Sequence, residues 1–113
     1  MVVKNFNFQL KEKEQKIKIR ECKTLYSKFI GLMFKKNSPP LLFIFKKPVK
    51  ISIHSFFCKP FIAIWFLQNK IIEIKSIKPN KLSIKPKKEF DKLLEIPSNS
   101  KEYPTMLSFL STR

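Results

Sequence analysis

The sequence predicts a small, β-rich α+β domain, a curled sheet or barrel-like fold with one short helix in its N-terminal half. Apolar runs of strand length follow one another along the chain, and a single early segment has helical spacing instead. The 113 residues are 43% hydrophobic and include 12 Phe, enough for a buried core in a single domain spanning residues 1–113. Strands and helices do not alternate regularly, so a doubly wound parallel sheet is not expected.

The N-terminal third predicts a hairpin followed by the helix. Apolar and polar residues alternate along residues 6–10 and again along 16–20, with a charged turn between, which indicates two half-buried strands. Thr24 can cap a helix that runs to about Met33, because apolar residues recur after it at helical spacing. Residues 37–40, Asn-Ser-Pro-Pro, predict a loop, since neither proline can continue a helix or donate to a sheet.

The rest of the chain predicts further strands. They are the continuous apolar run Leu41–Phe45, expected to be buried on both faces and to end at Lys46-Lys-Pro, and the segments 51–57, 61–67, 71–77 and 92–96. The tetrapeptide Ser-Ile-Lys-Pro occurs at 76–79 and again at 83–86, where proline indicates edge strands or connectors. The polar tail 98–113 is expected to fray, although Met106–Leu110 could dock as one helical turn.

Several segments, taken in their order along the chain, carry a family resemblance. They are Ser27–Phe34 with its Gly-Leu-Met, Leu41–Phe45, Ser52–Phe57 leading into Ile62–Leu67, Lys78-Pro79, and Leu94–Pro97. Together they resemble the family called domain of unknown function 192, over about residues 16–97. The resemblance implies a small β-rich domain with one helix and supplies no activity. The family's Pro and Asp fall on Phe61 and Ala63, so any role of that acidic residue is lost here.

The chain is strongly basic, with a formal net charge of +16 from 24 basic and 8 acidic residues. A surface of this sign attracts polyanions, which predicts a non-enzymatic binding module with RNA or DNA as its first candidate partner. The residues predicted to make the contact are Lys46, Lys47, Lys50, Lys78, Lys81, Lys85, Lys87 and Lys88. The alternative is compositional drift, because Lys, Ile, Phe and Asn are abundant while Gly and Ala each occur once.

One residue pair offers an alternative function, an enzyme or a metal-binding protein. His54 and Cys58 would point to the same face of an extended chain, as a thiolate–imidazole dyad or half of a zinc site in an aromatic pocket. A complete zinc site would also need Cys22 and a carboxylate, and the flanking aromatic residues favour a core position instead. No cofactor is expected, since the single glycine, Gly31, excludes glycine-rich phosphate loops and the serine nucleophile elbow.

The sequence also predicts a cytoplasmic protein without a transmembrane segment, and it leaves the oligomeric state open. Its two cysteines lie far apart, unlike a disulfide framework, and its first residues lack the apolar segment of a secretory signal. The most membrane-like stretch, Ile51–Leu67, is interrupted by Lys59-Pro60 and is shorter than the roughly 20 apolar residues that span a bilayer.

Overall fold

The computed structural model describes residues 3–22, 39–53, 59–81 and 83–111. Within them the chain forms six strands and one helix: β1 (Val3–Leu10), β2 (Lys13–Cys22), β3 (Leu41–Val49), β4 (Phe61–Leu67), β5 (Lys70–Ile77), β6 (Phe90–Pro97) and α1 (Tyr103–Ser111). The predicted helix from Thr24 to Met33 lies outside the described residues. The described helix stands at the C-terminal end, where the sequence predicted a single docked turn.

The six strands form one sheet in the order β1-β2-β3-β6-β4-β5. Adjacent strands are antiparallel except β2 and β3, which run parallel. The last strand in the chain, β6, therefore lies between β3 and β4, and β4 has hydrogen-bonded neighbours on both sides. This arrangement confirms the β-rich curled sheet that the sequence predicted.

Two hairpin turns are built without glycine. Lys11 and Glu12, between β1 and β2, have φ values of 51° and 67°, and Gln68 and Asn69, between β4 and β5, have values of 50° and 67°. Positive φ at both central residues is the geometry of a type I′ turn, whose twist matches that of the flanking strands. Because only Asn69 belongs to the residue types that favour this conformation, the turns give a weak signal in the sequence.

The curl of the sheet is visible in its aromatic contacts. The Phe66 ring on β4 lies 5.4 Å from the Phe6 ring and 5.5 Å from the Phe8 ring, centroid to centroid, both edge-on. β1 is four strands away from β4 in the sheet order, so the sheet bends round until its first strand reaches the fifth, next to the opposite edge. The residues that share this concave side form the inner core: Phe8, Leu10, Ile17, Ile19, Leu42, Ile62, Ile64, Phe66, Leu94, Ile96 and Met106.

The opposite face of the sheet is also covered. Its buried residues form the outer core: Cys22, Leu41, Phe43, Phe61, Ala63, Trp65, Ile77, Ile84, Phe90 and Leu93. Alternate residues of β4 enter the two cores, and six of its seven residues are buried. The continuous apolar run of β4 follows from this double burial, since both faces of the strand exclude water.

Two strand predictions need correction. Of the predicted strand 51–57, only 51–53 are described, and they form an isolated bridge between Ile53 and Ile84 while Ile51 is 46% exposed. β3 does not end at Lys46-Lys-Pro but continues to Val49. Its pairing with β6 shifts register between Ile44 and Val49, so Pro48 falls where no ladder hydrogen bond is required of it. Leu41–Phe43 are buried on both faces as predicted, whereas Ile44 and Phe45 are half-buried.

The C-terminal helix closes the inner core. Met106 of α1 is 3% exposed within it, and Tyr103, Phe109 and Leu110 pack around it. The Lys11 ammonium donates to the Phe109 carbonyl oxygen over 3.1 Å, which links the helix to the β1–β2 turn. Among residues 3–22, 39–53, 59–81 and 83–111, no helix combines the length and apolarity needed to cross a membrane.

Docking of α1 can be tested at two adjacent residues. We expect Met106→Ala to lower the free energy of unfolding by about 2–5 kcal/mol, because it leaves a cavity in the inner core. Leu107→Ala is the matched control, since Leu107 is 40% exposed and its change is expected to stay within about 0.5 kcal/mol. Urea unfolding measures both. Equal effects of the two substitutions would contradict the docking.

Candidate functional site

A cleft of about 500 Å³ lies beside β5, between the end of that strand and the connection that follows it. We call it the lysine cleft. Its described lining residues are Lys75, Ser76, Ile77, Lys78, Lys81, Ser83, Ile84 and Lys85. Four of them are lysines and none carries a carboxylate, so the cleft is a concave site with a strongly positive rim.

The connection is fixed in place by a turn and a bridge. Asn80, with φ of 60°, reverses the chain after Pro79, in a conformation that asparagine tolerates better than most residues. Ile84 then exchanges two backbone hydrogen bonds with Ile53, with N–O distances of 2.8 and 2.7 Å. Ile77 and Ile84 are 5% and 8% exposed in the outer core. The cleft therefore has an apolar floor anchored on both sides.

A charged clasp joins the connection to β5. The Glu73 carboxylate makes two contacts. Its Oε2 forms an ion pair with the Lys75 ammonium at 3.0 Å, and its Oε1 accepts a hydrogen bond from the Lys87 backbone N–H over 3.0 Å. The Lys75 ammonium also donates to the Lys85 carbonyl oxygen over 3.3 Å. These three contacts hold residues 85–87 against the strand, and they fix the outer wall of the cleft.

The clasp changes the titration of its carboxylate. Burial acts to raise the pKa of Glu73, but the hydrogen bond from Lys87 and the hydrogen bond and positive charge of Lys75 outweigh it, so the pKa lies below the ordinary value of 4.5. Glu73 is therefore ionised throughout the neutral range. Lys75 in turn lies 5.7 Å from the centroid of the Trp65 ring, a cation–π contact with the outer core.

The structure divides the eight lysines that the sequence predicted for polyanion contact. Lys78, Lys81 and Lys85 line the lysine cleft, whereas Lys46 and Lys47 are exposed on β3. The remaining three, Lys50, Lys87 and Lys88, are exposed near the start of β6, since Val49 pairs with Phe90. Lysines are also exposed on β2, at Lys13, Lys16 and Lys18. The positive charge therefore covers several surfaces, and three of the eight predicted lysines lie in the cleft.

Sequence reasoning did not select Lys75, Ser76 or Ser83 as site residues. The available signal was the repeated Ser-Ile-Lys-Pro, because its two copies supply six of the eight described lining residues. The repeat was interpreted only as a pair of edge strands or connectors. Which lysines share a cleft depends on the bridge between Ile53 and Ile84, a contact between distant parts of the chain.

The alternative site at His54 and Cys58 lies outside the described residues. Cys22, which a zinc site would have required, is 2% exposed in the outer core. Among the residues that the structure describes, no three His, Cys, Asp or Glu side chains come together as a metal-binding group. Trp65 is fully buried and so offers no surface on which a base could stack.

One buried acid stands apart from the cleft. Glu95 on β6 is 5% exposed and pairs with Leu41 on β3 and Ala63 on β4. Burial raises the pKa of its carboxyl from 4.5 to about 8. The Trp65 indole N–H on the same face has no hydrogen-bond partner within the described part of the chain. The sequence does contain a signal for this burial, because Glu95 stands inside the apolar run Leu93–Ile96. From the sequence, however, only a strand was predicted there.

Comparisons with known proteins identify a fold and a family. The family model DUF192, described as an uncharacterized ACR, matches residues 8–103, which contain the stretch that carried the resemblance. A protein of unknown function from Novosphingobium aromaticivorans has a similar structure, with TM-score 0.74 and 13% identity over 84% of this chain and 73% of that one.

A second similar structure comes from Sinorhizobium meliloti, a protein described as a "putative transcription regulator". It has TM-score 0.70 and 12% identity over 80% of this chain and 76% of that one. At such identities the two structures show a shared fold alone. Among proteins with curated functions, none matches this sequence.

Burial of Glu95 predicts a falling stability with rising pH. The carboxyl of Glu95 keeps its proton up to about pH 8 in the folded protein, whereas it releases the proton near pH 4.5 in the unfolded chain. The free energy of unfolding is therefore highest below pH 4.5. It falls between pH 4.5 and about pH 8, by at most about 1.4 kcal/mol per pH unit. We expect Glu95→Gln to remove this pH dependence and to be more stable than the natural chain at about pH 8 and above. Urea unfolding at several pH values measures it, and parallel profiles for the two proteins would contradict it.

The clasp predicts the opposite pH dependence for Glu73. Its lowered pKa means that the carboxylate stabilises the fold above 4.5 and that this contribution is lost as the pH falls through the lowered value. We expect Glu73→Gln to cost about 1 kcal/mol at neutral pH, with the difference narrowing in acid. Glu14→Gln, at an exposed position of β2, is the control for the change in net charge. A Glu73→Gln effect no larger than the control's would refute the clasp.

Proposed function

The chain belongs to the DUF192 family, for which no activity is described, and we propose that this member is a non-enzymatic binding module for a polyanion such as RNA or DNA. The observation that carries the proposal is the lysine cleft, in which three lysines and two serines surround an apolar floor without a carboxylate among the described lining residues, while the fourth lysine, Lys75, is paired with Glu73 in the clasp. Ammonium and hydroxyl groups are donors for phosphate oxygens, and Lys supplies a point charge to them.

The charge of the whole chain supports a long anionic partner over a small anion. The net charge of +16 is far larger than the charge that would neutralise a single phosphate. The exposed lysines of β2 and β3 extend the positive surface beyond the cleft. Each phosphate neutralised by such a surface releases condensed counterions, which favours binding of a polymer. The Sinorhizobium meliloti protein, which shares the fold, is described as a "putative transcription regulator", and a nucleic-acid partner for this chain is in line with that description.

The residue types favour binding without sequence readout. Base edges are read mainly by side chains with paired donors and acceptors, above all the Arg fork, and the described lining of the cleft has no Arg, Asn or Gln. We propose the cytoplasm as the compartment, since two widely separated cysteines do not form the disulfide framework typical of secreted domains.

Neutralising the cleft tests the proposal. We expect the triple substitution of Lys78, Lys81 and Lys85 by Gln to weaken binding of a mixed-sequence oligonucleotide and to reduce the slope of log K against log salt by about 2 to 3, since three phosphate contacts are lost. Fluorescence anisotropy across a salt series measures both quantities.

The matched control replaces Lys13, Lys16 and Lys18 by Gln. These residues are exposed on β2, so the control has the same net charge and an intact cleft, and we expect its salt slope to stay close to that of the natural chain. Equal slopes for the two triple variants would show that the cleft is not the contact. Absence of binding at low salt would refute polyanion binding altogether.

A further inference from the structure

The lysine cleft is built from two copies of one tetrapeptide. Ser76, Ile77 and Lys78 come from the end of β5 and the residue after it, and Ser83, Ile84 and Lys85 come from the connection that the clasp holds against β5. The fourth residue of each copy is a proline. The cleft therefore offers the same donors and the same apolar group twice, once from each wall.

The serines, isoleucines and lysines of the two copies occupy equivalent environments, whereas Pro79 is exposed and Pro86 is buried. The two isoleucines are nearly fully buried, at 5% and 8% exposure, and form the floor. The serines and the two lysines are exposed, and they form the rim. A ligand that fits this arrangement has an apolar centre with a negative group on each side of it.

We propose that the cleft seats one nucleotide unit of a single-stranded nucleic acid, with its base against Ile77 and Ile84 and its 5′ and 3′ phosphates at Lys78 and Lys85. The inference rests on the proposed function and specifies the form of the strand. Within a strand every nucleotide carries a phosphate on each side, which matches the doubled lysine. A cleft of about 500 Å³ is within the size range of pockets for small organic ligands, which the base and sugar resemble.

The same geometry disfavours a duplex. In a double helix the bases are paired and stacked inside, so an apolar floor at the bottom of a concave site can reach none of them. Proteins that bind single strands combine a positive groove with a surface on which bases pack. The floor here is aliphatic and not aromatic, which predicts tolerance of any base.

The test changes the ligand and leaves the core of the protein intact. A labelled single strand is displaced from the full chain by three competitors at equal phosphate concentration: the unlabelled strand, the same strand with all bases removed, and a duplex of the same sequence. We expect the abasic strand and the duplex to compete more weakly than the intact strand, because neither of them offers a base that can pack against the floor. A nucleoside 3′,5′-bisphosphate should in turn compete better than the 5′-monophosphate.

Two double variants locate the effect. Lys78→Gln with Lys85→Gln should abolish the advantage of the bisphosphate over the monophosphate. Lys46→Gln with Lys47→Gln, which removes two exposed lysines of β3 that neither line the cleft nor take part in the clasp, should preserve it. Retention of the advantage in the first variant, or its loss in the second, would overturn the inference.

The remaining outcomes separate this inference from the proposed function. Equal competition by the abasic and intact strands, or stronger competition by the duplex, would overturn the seated base while polyanion binding stands. Displacement of the strand by phosphatidylserine vesicles at lower phosphate concentration than by the unlabelled strand would assign the surface to a membrane and would also overturn it. Failure of every nucleic acid to bind at low salt would refute the proposed function and this inference together.

Discussion

The burial of β4 on both faces is the constraint on which the rest of the structure depends. Ile62, Ile64 and Phe66 enter the inner core, while Phe61, Ala63 and Trp65 enter the outer core. A strand buried in this way needs hydrogen-bonded neighbours at both edges, because an unpaired backbone group inside a core costs the energy of a lost hydrogen bond. The return of β6 between β3 and β4 supplies one neighbour and β5 supplies the other. The curl that brings Phe6 and Phe8 onto Phe66 then covers the inner side.

The position of the lysine cleft follows from β5 being the last strand of the sheet. One side of β5 pairs with β4, with Glu73 opposite Trp65 and Lys75 opposite Ala63. Charged residues on an edge strand commonly prevent pairing with other chains, and that role alone would account for Lys75. It does not account for the clasp, in which Glu73 and Lys75 bind the backbone of residues 85 and 87. The clasp and the bridge between Ile53 and Ile84 turn an exposed strand edge into a two-walled site.

Features that depend on one strand alone were predicted from the sequence, whereas features that depend on contacts between distant parts of the chain were not. β4 was predicted with its observed bounds because a strand buried on both faces needs a continuous apolar run, a pattern that depends on the strand alone. The extension of β3 through Pro48 was missed, since it depends on a register shift against β6. For the same reason the sequence offered eight candidate lysines without indicating that three of them, Lys78, Lys81 and Lys85, line one cleft. That grouping is set by the contact of Ile53 with Ile84, 31 positions along the chain (84 − 53).

Glu95 and the lysine cleft are linked by the row of side chains that crosses the outer face. In that row Leu41, Glu95, Ala63 and Lys75 are successive cross-strand neighbours, so two strand spacings, about 10 Å, separate the backbone of the acid from that of the cleft lysine. An ionised carboxylate there, in a medium of low polarity, would reduce the positive potential that the cleft lysines create. With a pKa raised to about 8, Glu95 is mainly protonated at neutral pH. The burial that makes this acid costly to ionise therefore also preserves the positive potential of the cleft.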